Sequence, residues 1–226
     1  MEARYRQDLS GKLPPKYQRV VEHLPGGGSI LELGCHEGDF GEYLLEQGYS
    51  VMGIESDSRA ADVARGRGLD VHVFDLEDGT TLPWPAKRFD VILAMDVLEH
   101  LRDPASVLSQ LRANLSKQGL LIVTGPNVAY WANRLELLRG RWEYQEAGIL
   151  DSTHLRFYTF DTWKALVSSA GFRVDAAEAA EGYLPLEHRL ARMPGIGSFV
   201  KAVSRLCVTK RPNLFGCTVL LRCALA

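Results

Sequence analysis

A mostly parallel sheet wrapped by helices on both faces, an α/β architecture, is the fold class this sequence predicts, and three observations predict it. Short β-rich apolar runs alternate with stretches of helical periodicity through the first half of the chain. Several of these runs end on a glycine or an acid, where a strand hands over to a helix. One run, Phe89–Met95, is apolar almost throughout, as expected of a strand covered on both faces.

The elements follow in order. Ser29–Gly34 (SILELG) is the first strand. From Asp39 the pattern turns helical: Phe40, Tyr43, Leu44 and Gln47 share a face, Asp39 and Glu42 are spaced as an N-cap and its N3 partner, and Gly48 is the stop. Ser50–Glu55 is the second strand, and an Ala-rich helix after Asp57 ends near Gly66 or Gly68. Asp70–Phe74 is the third strand, and Thr80–Arg88, with Pro83 and Pro85 around Trp84, reads as a loop. After Phe89–Met95, Asp103-Pro104 opens a helix with proline at its first position, and Val107, Leu108, Leu111 and Leu115 form its stripe. Gly119–Gly125 is a fifth strand, Phe160–Ala170 a helix, and Phe172–Ala177 and Phe215–Ala224 the last two strands.

Two stretches break this rhythm. Residues 126–158 far exceed the usual connection of about 2–6 residues. They carry a helical pattern (Val128, Trp131, Leu135, Leu138) stopped at Gly140, expected to seat a lid helix on the domain, and a dense set of aromatics. Residues 183–214 hold six basic residues against one acidic, a net of +5 in a chain whose total is −2. Within them Ile196, Phe199, Val200, Val203 and Leu206 share a helical face. That pattern is expected to pack on the domain and expose its charges, though a basic amphipathic helix (196–206) also suits peripheral contact with an anionic membrane.

Composition bounds the answer. At 226 residues, 46 % hydrophobic and 24 % charged, the chain is expected to be one globular domain, 1–226, with an N-terminal helical segment over 1–28 and the two insertions. A net charge of −2 argues against coating nucleic acid, and no apolar run approaches the roughly 18 residues a bilayer span needs. Met1–Arg6 is charged with no apolar signal segment behind it. Cys35, Cys207, Cys217 and Cys223 form no CxxC pair, so a cytoplasmic protein with reduced thiols is expected. His23, His36, His72 and His188 form no spaced ligand set, and no metal is expected.

The chemistry concentrates at strand ends. In Leu31–Gly38 (LELGCHEG) a strand ends in a glycine turn, where Gly34 lets a ligand approach the backbone and Gly38 lets the next helix start nearby. Glu55 ends the second strand, placed to accept from both hydroxyls of a ribose. Asp75 follows the third strand, placed to take a proton from an exocyclic adenine amine, and Asp96 follows the fourth. Each alone is as readily a helix cap or a solvated acid; together they converge on one crevice. A dinucleotide asks for GxGxxG, and Gly34-Cys35-His36-Glu37-Gly38-Asp39 lacks that spacing. Glu32, Glu37 and Asp39 would also repel a pyrophosphate. They suit S-adenosylmethionine, which carries a sulfonium and an ammonium and no phosphate.

LELGCHEG, IESD, FDLED and FDVILAMDVLEHLRDP resemble, in order, the motifs of class I S-adenosylmethionine-dependent methyltransferases. The resemblance implies a Rossmann-like seven-stranded sheet with an antiparallel last strand. It implies Glu32, Gly34, Cys35 and Gly38 around the methionine moiety, Glu55 and Ser56 at the ribose, and Asp75 and Leu76 at the adenine. Met95, Asp96 and Val97 would pass close to the cofactor, which leaves as S-adenosylhomocysteine. The family's ExGxGxG has glycine where this chain has His36. Gly148–Thr159 (GILDSTHLRFYT) resembles a subgroup associated with surface-polysaccharide or small-molecule methylation, and the first half is more distantly similar to ubiquinone-biosynthesis O-methyltransferases.

A hydroxyl acceptor must lose a proton, so a general base is expected. His154 ranks slightly ahead of His100, because the insertion is expected to roof the acceptor pocket; either could instead be a structural polar residue. Trp131, Arg134, Asp151, Arg156 and Tyr158 are the expected acceptor contacts, and a sugar or lipid-linked glycan, or alternatively a quinone-type phenol, the expected acceptor. The competing reading is a non-catalytic module that keeps the crevice and works through a partner.

Overall fold

The computed structural model describes residues 9, 13–78, 87–193 and 195–226. Met1–Arg6 and all but the last two residues of the loop expected at 80–88 lie outside them. Seven strands are present among the described residues: β1 (Ser29–Leu33), β2 (Ser50–Glu55), β3 (Asp70–Val73), β4 (Phe89–Met95), β5 (Leu115–Pro126), β6 (Phe172–Gly182) and β7 (Gly216–Leu225). They form one sheet in the order β3-β2-β1-β4-β5-β7-β6. β1 pairs in parallel with β2 and β4, β2 with β3 and β4 with β5, while β7 runs antiparallel to both β5 and β6.

Helices cover both faces because successive side chains of the central strands alternate between two cores. Leu31, Leu33, Ile92 and Ala94 enter one, with Leu108, Trp163 and Phe172. Ile30, Val91 and Leu93 enter the other, with Phe40, Leu44 and Leu220. Each such fully buried large aliphatic side chain contributes about 1.5–3 kcal/mol, before chain entropy is set against it.

The helices are α1 (Pro15–His23), α2 (Asp39–Glu46), α3 (Ser58–Gly66), α4 (Pro104–Leu111), α5 (Trp131–Leu138), α6 (Phe160–Ser169), α7 (Glu187–Leu190), α8 (Gly197–Lys210) and α9 (Pro212–Phe215). Local chemistry starts several of them. Asp57 accepts from the Arg59 N–H ahead of α3, Asp103 accepts from Ser106 N–H ahead of α4, and Thr159 and Thr162 form a reciprocal capping box on α6. Trp163 of α6 lies buried across β5 and donates its indole N–H to the Pro126 carbonyl at 2.9 Å. A Cβ at Gly125 would stand 2.2 Å from that ring, which is why the strand carries glycine there.

Several expectations are corrected. Gly38, in the left-handed conformation, is the N-cap of α2, so Asp39 is already inside the helix; Asp39 and Glu42 instead pair with Arg67. Leu115 is not on the α4 stripe, because that helix ends at Leu111 and Leu115 opens β5. β6 runs five residues past Ala177, held by its pairing with β7. On α5 no residue is buried and Leu138 is 85 % exposed, so the expected lid stripe does not seat on the domain. On α8 the buried residue is Ser204, while Phe199 and Leu206 face solvent.

The topology sets the site. Leu33 lies level with Ile54 and Ala94, so Gly34, Glu55 and Met95 leave the sheet side by side. The strand order reverses between β1 and β4, which opens a crevice at that edge. Pro126 lies opposite Thr218 and Gly182 opposite Gly216, so the β5–α6 and β6–β7 insertions rise from the same edge.

Candidate active site

The turn after β1 is wound tightly. Gly34 has φ +64° and a Cβ there would crowd Val97 at 3.2 Å. His36, where the resembling family has glycine, adopts φ +48°, a left-handed conformation costing a non-glycine residue about 1–2 kcal/mol. Its N–H donates to Glu55 Oε2 at 2.9 Å, so the acid ending β2 holds the turn ending β1. Glu55 Oε1 accepts from Asp57 N–H at 2.9 Å and from the exposed Ser56 hydroxyl at 3.3 Å. Oε2 keeps a further lone pair for a ligand hydroxyl, whereas Oε1 already accepts twice.

Gly38 also packs closely on α3, since a Cβ there would meet Ala64 at 2.8 Å. Glu32 is buried, and its Oε2 has no hydrogen-bond partner. Burial, and then the nearby Asp39, push its carboxyl up to about 8. Burial likewise raises the Cys35 thiol, with Glu32 and Glu55 adding to it, so Cys35 is an unreactive packing residue. Asp75 is exposed two residues past β3, its Oδ1 accepting from Glu77 N–H at 2.9 Å, with Leu76 beside it packed against the core.

At the end of β4, Asp96 sits at φ +51° between half-buried Met95 and Val97. Thr124 at the end of β5 donates to Asp96 Oδ1 at 3.1 Å. Lys16 of α1 forms an ion pair with Oδ2. Burial pulls the Lys16 ammonium down, but Asp96 and Tyr17 outweigh it and hold it above its ordinary value. Neither Lys16 nor Thr124 was singled out by the sequence, whose local motifs give no sign of contacts spanning 80 and 28 residues.

The acceptor side gathers where the insertion returns to the domain. Leu155 and Arg156 N–H groups donate to the Glu99 carbonyl at 2.9 and 3.0 Å, clamping residues 151–156 on the helical turn Leu98–His100. This brings His154 against His100, ring centroids 4.8 Å apart and edge to face. His154 Nδ1 donates to the Ile149 carbonyl at 3.0 Å. His100 Nδ1 lies 3.3 Å from the Thr153 carbonyl and 3.1 Å from its Oγ1, which itself donates to Asp151 Oδ1 at 2.7 Å. A carbonyl only accepts, so each neutral ring carries its proton on Nδ1 and keeps a lone pair on Nε2. Burial lowers the His100 pKa, and His154 lowers it further, which favours the neutral ring. Beneath them Glu99 is fully buried with neither carboxyl oxygen hydrogen-bonded, and burial, then the nearby Asp96, push its carboxyl well above the ordinary range. One donor atom from each of Glu99, His100 and His154 lies within 4.8 Å of the others, a grouping the spacing of the histidines did not reveal.

The other expected acceptor contacts are dispersed. Asp151 is buried and orients Thr153. Arg156 is exposed, its guanidinium donating to the Arg102 carbonyl. Tyr158 packs on Trp163 at 4.3 Å. Trp131 donates its indole N–H to the Tyr183 carbonyl at 2.8 Å, tying one insertion to the other. Arg134 lines a separate cleft of about 420 Å³ with Phe160, Lys164, Lys210 and Arg211.

This geometry can be set beside known proteins. A family model described as a methyltransferase domain matches residues 4–177. The chain belongs to the class I S-adenosylmethionine-dependent methyltransferases. A ubiquinone biosynthesis O-methyltransferase of Actinobacillus pleuropneumoniae serotype 7 is 32 % identical over 109 residues, covering 45 % of this chain and 47 % of that protein. A probable S-adenosylmethionine-dependent methyltransferase of Mycolicibacterium smegmatis is 29 % identical over 161 residues, covering 70 % of this chain and 57 % of that one. The chain thus spans about half the length of the curated relatives it matches. A SAM-dependent methyltransferase from Archaeoglobus fulgidus shares the fold with a TM-score of 0.65 at 20 % identity, over 93 % of this methyltransferase and 91 % of that one. S-adenosylmethionine is accordingly the cofactor of this methyltransferase. No described helix is long and apolar enough to cross a membrane.

Proposed function

We propose that this protein transfers the methyl group of S-adenosylmethionine to an oxygen of a small-molecule acceptor, with a sugar or glycan hydroxyl as the preferred class. The observation that carries the reading is the imidazole pair His100 and His154, two Nε2 lone pairs beside the strand end that carries Asp96. A sulfonium methyl is already activated, and a sugar hydroxyl is a very weak acid, so what this acceptor needs from the protein is a neutral base and alignment.

The residues of the crevice fit the donor. Glu32 offers a buried, unpartnered carboxyl oxygen to a cationic group, which would restore its charge. Gly34, with no side chain, leaves the backbone open beside Val97, and Cys35 and Gly38 complete that turn. Glu55, with Ser56 beside it, faces the ribose hydroxyls, Asp75 and Leu76 the adenine, and Met95–Val97 the reacting end. The bound cofactor supplies the electrophilic methyl. With it bound, the chain's own part would be to hold an acceptor hydroxyl in line with that methyl and to take the hydroxyl proton on Nε2 of His154 or His100, which would pass it to water. Of the insertion residues expected to meet the acceptor, Arg156 and Tyr158 lie on or next to the clamped segment that carries His154 and would frame it, while Trp131 ties the two insertions together and Arg134 lines the separate cleft.

A quinone-type phenol is the second reading, favoured by the oxygen acceptor in the name of the 32 %-identical relative. Labelled-methyl transfer to panels of free sugars, glycans and catechols separates the two. Label on a sugar hydroxyl supports the first, label on a phenol supports the second, and S-adenosylhomocysteine release with neither acceptor defeats both.

A further inference from the structure

The β6–β7 insertion leaves its apolar residues in solvent. On α8, at about 100° per residue, Phe199 and Leu206 point within about 20° of each other and about 140–160° away from Ser204, the buried residue. Phe199 is 70 % and Leu206 59 % exposed, and the segment leading in adds exposed Leu186, Leu190 and Met193. An anchor on the opposite side fixes this orientation: Ser204 donates its hydroxyl to Glu187, whose carboxylate also accepts from the Leu184 N–H. Glu187, the segment's single acid, is therefore spent on holding α7 against α8.

All six basic side chains of the insertion, Arg189, Arg192, Lys201, Arg205, Lys210 and Arg211, are exposed, and none forms an ion pair with a described residue. Lys210 projects on the Phe199–Leu206 side and also lines the cleft shared with Arg134 and Arg211. A helix with an outward apolar edge, Lys210 on the same side, and Lys201 and Arg205 about 100–160° round the helix, none with an acidic partner among the described residues, finds no complementary surface in the chain it belongs to. An anionic bilayer supplies both missing halves, phosphates for the cations and an acyl boundary for Phe199 and Leu206. A second copy of this net-acidic chain is the other occupant to test, since Leu137, Leu138, Trp142 and Tyr144 are exposed near Glu143 and Glu146, but it offers no phosphates and no acyl boundary.

We propose that residues 183–214 dock this protein on anionic lipid membranes, with α8 lying in the interface. The surface stands at the same sheet edge as the crevice, joined to the β5–α6 insertion through Trp131 and the Tyr183 carbonyl. Docking therefore turns the acceptor side toward molecules held at the membrane surface. That consequence rests on the methyl-transfer reading, whereas the docking itself does not.

Vesicle co-sedimentation of the full chain tests it without turnover. Binding to phosphatidylcholine vesicles containing phosphatidylglycerol is expected, with none to phosphatidylcholine alone. Raising salt from about 0.05 to about 0.5 M should weaken it several-fold. Lys210→Glu with Arg211→Glu should lower partitioning by about fivefold for each cation removed, and Phe199→Ser with Leu206→Ser should lower it further, with circular dichroism and melting unchanged. Absent binding at low salt, binding indifferent to salt, or binding unaltered by either pair of substitutions would overturn the proposal. So would self-association abolished by Phe199→Ser and Leu206→Ser without vesicle binding, which would assign the face to a second copy. Methyl transfer is assayed separately with soluble acceptors, so loss of one property leaves the other measurable.

Discussion

The cofactor edge and the two insertions of this protein are built on opposite terms. At the edge, two acids are fixed twice, by strand register and by a hydrogen bond: Glu55 by β2 and the His36 N–H, and Asp96, just past β4, by Thr124. In the insertions, α5 buries no side chain and α8 buries only Ser204, and a few single bonds such as Trp131 to Tyr183 tie them down. The crevice is pre-organised, while the insertions keep their apolar side chains outside. The β5–α6 insertion is pinned at its root, by buried Asn127, and at residues 151–156, where it delivers His154 to His100.

The comparison breaks most visibly at that junction. His100→Ala and His154→Ala are expected to leave cofactor affinity unchanged and lower kcat, by about 10²–10⁴-fold when combined, in a labelled-methyl assay. The acid limb of kcat/KM should fall below the ordinary histidine value of about 6.5, because burial and His154 depress the His100 pKa. Turnover that survives a chelator supports the base; turnover lost with metal and restored by a divalent ion reassigns Glu99, His100 and His154 to a cation.

Next in size, Glu55→Ala should weaken cofactor binding about tenfold to a hundredfold by calorimetry, since charge-assisted hydrogen bonds contribute about 1.5–3 kcal/mol. An unchanged affinity would sever the edge from the cofactor. Glu32→Gln sharpens the contrast between holding a ligand and holding the fold. The Glu32 carboxyl lies raised at about 8, so its stabilising contribution is complete below its ordinary value of 4.5 and is lost as pH rises through about 8. The variant should therefore melt a few degrees higher than the parent at pH 8 to 9 and equally at pH 4, at about 2–4 °C per kcal/mol, while binding the cofactor more weakly. Smallest of all, Leu138→Ala should change stability by under about 0.5 kcal/mol in denaturant titration, in contrast to Leu108→Ala in the core at about 2–5 kcal/mol.

The strands and the acids at their ends were legible because both are local signals. β2 and β4 match their apolar runs residue for residue, and Asp103-Pro104 marks the start of α4. Leu115 was misplaced because a stripe at helical spacing continues by chance into a strand, and only pairing with Phe89 decides otherwise. Asp39 and Glu42 have the spacing of a capping pair, but Gly38 starts the helix one residue earlier and Arg67 claims both acids. The stripes on α5 and α8 were sound as patterns; periodicity identifies an apolar face without saying whether anything covers it.

By itself the chain's order of residues determined the alternation of strand and helix, and hence one crevice with its ring of carboxyls, because periodicity and capping act within a few residues. Tertiary structure alone decided that Lys16 meets Asp96, that His154 meets His100, and that Phe199 faces water. Those relations join residues far apart in the chain, and only the closed sheet brings them within reach.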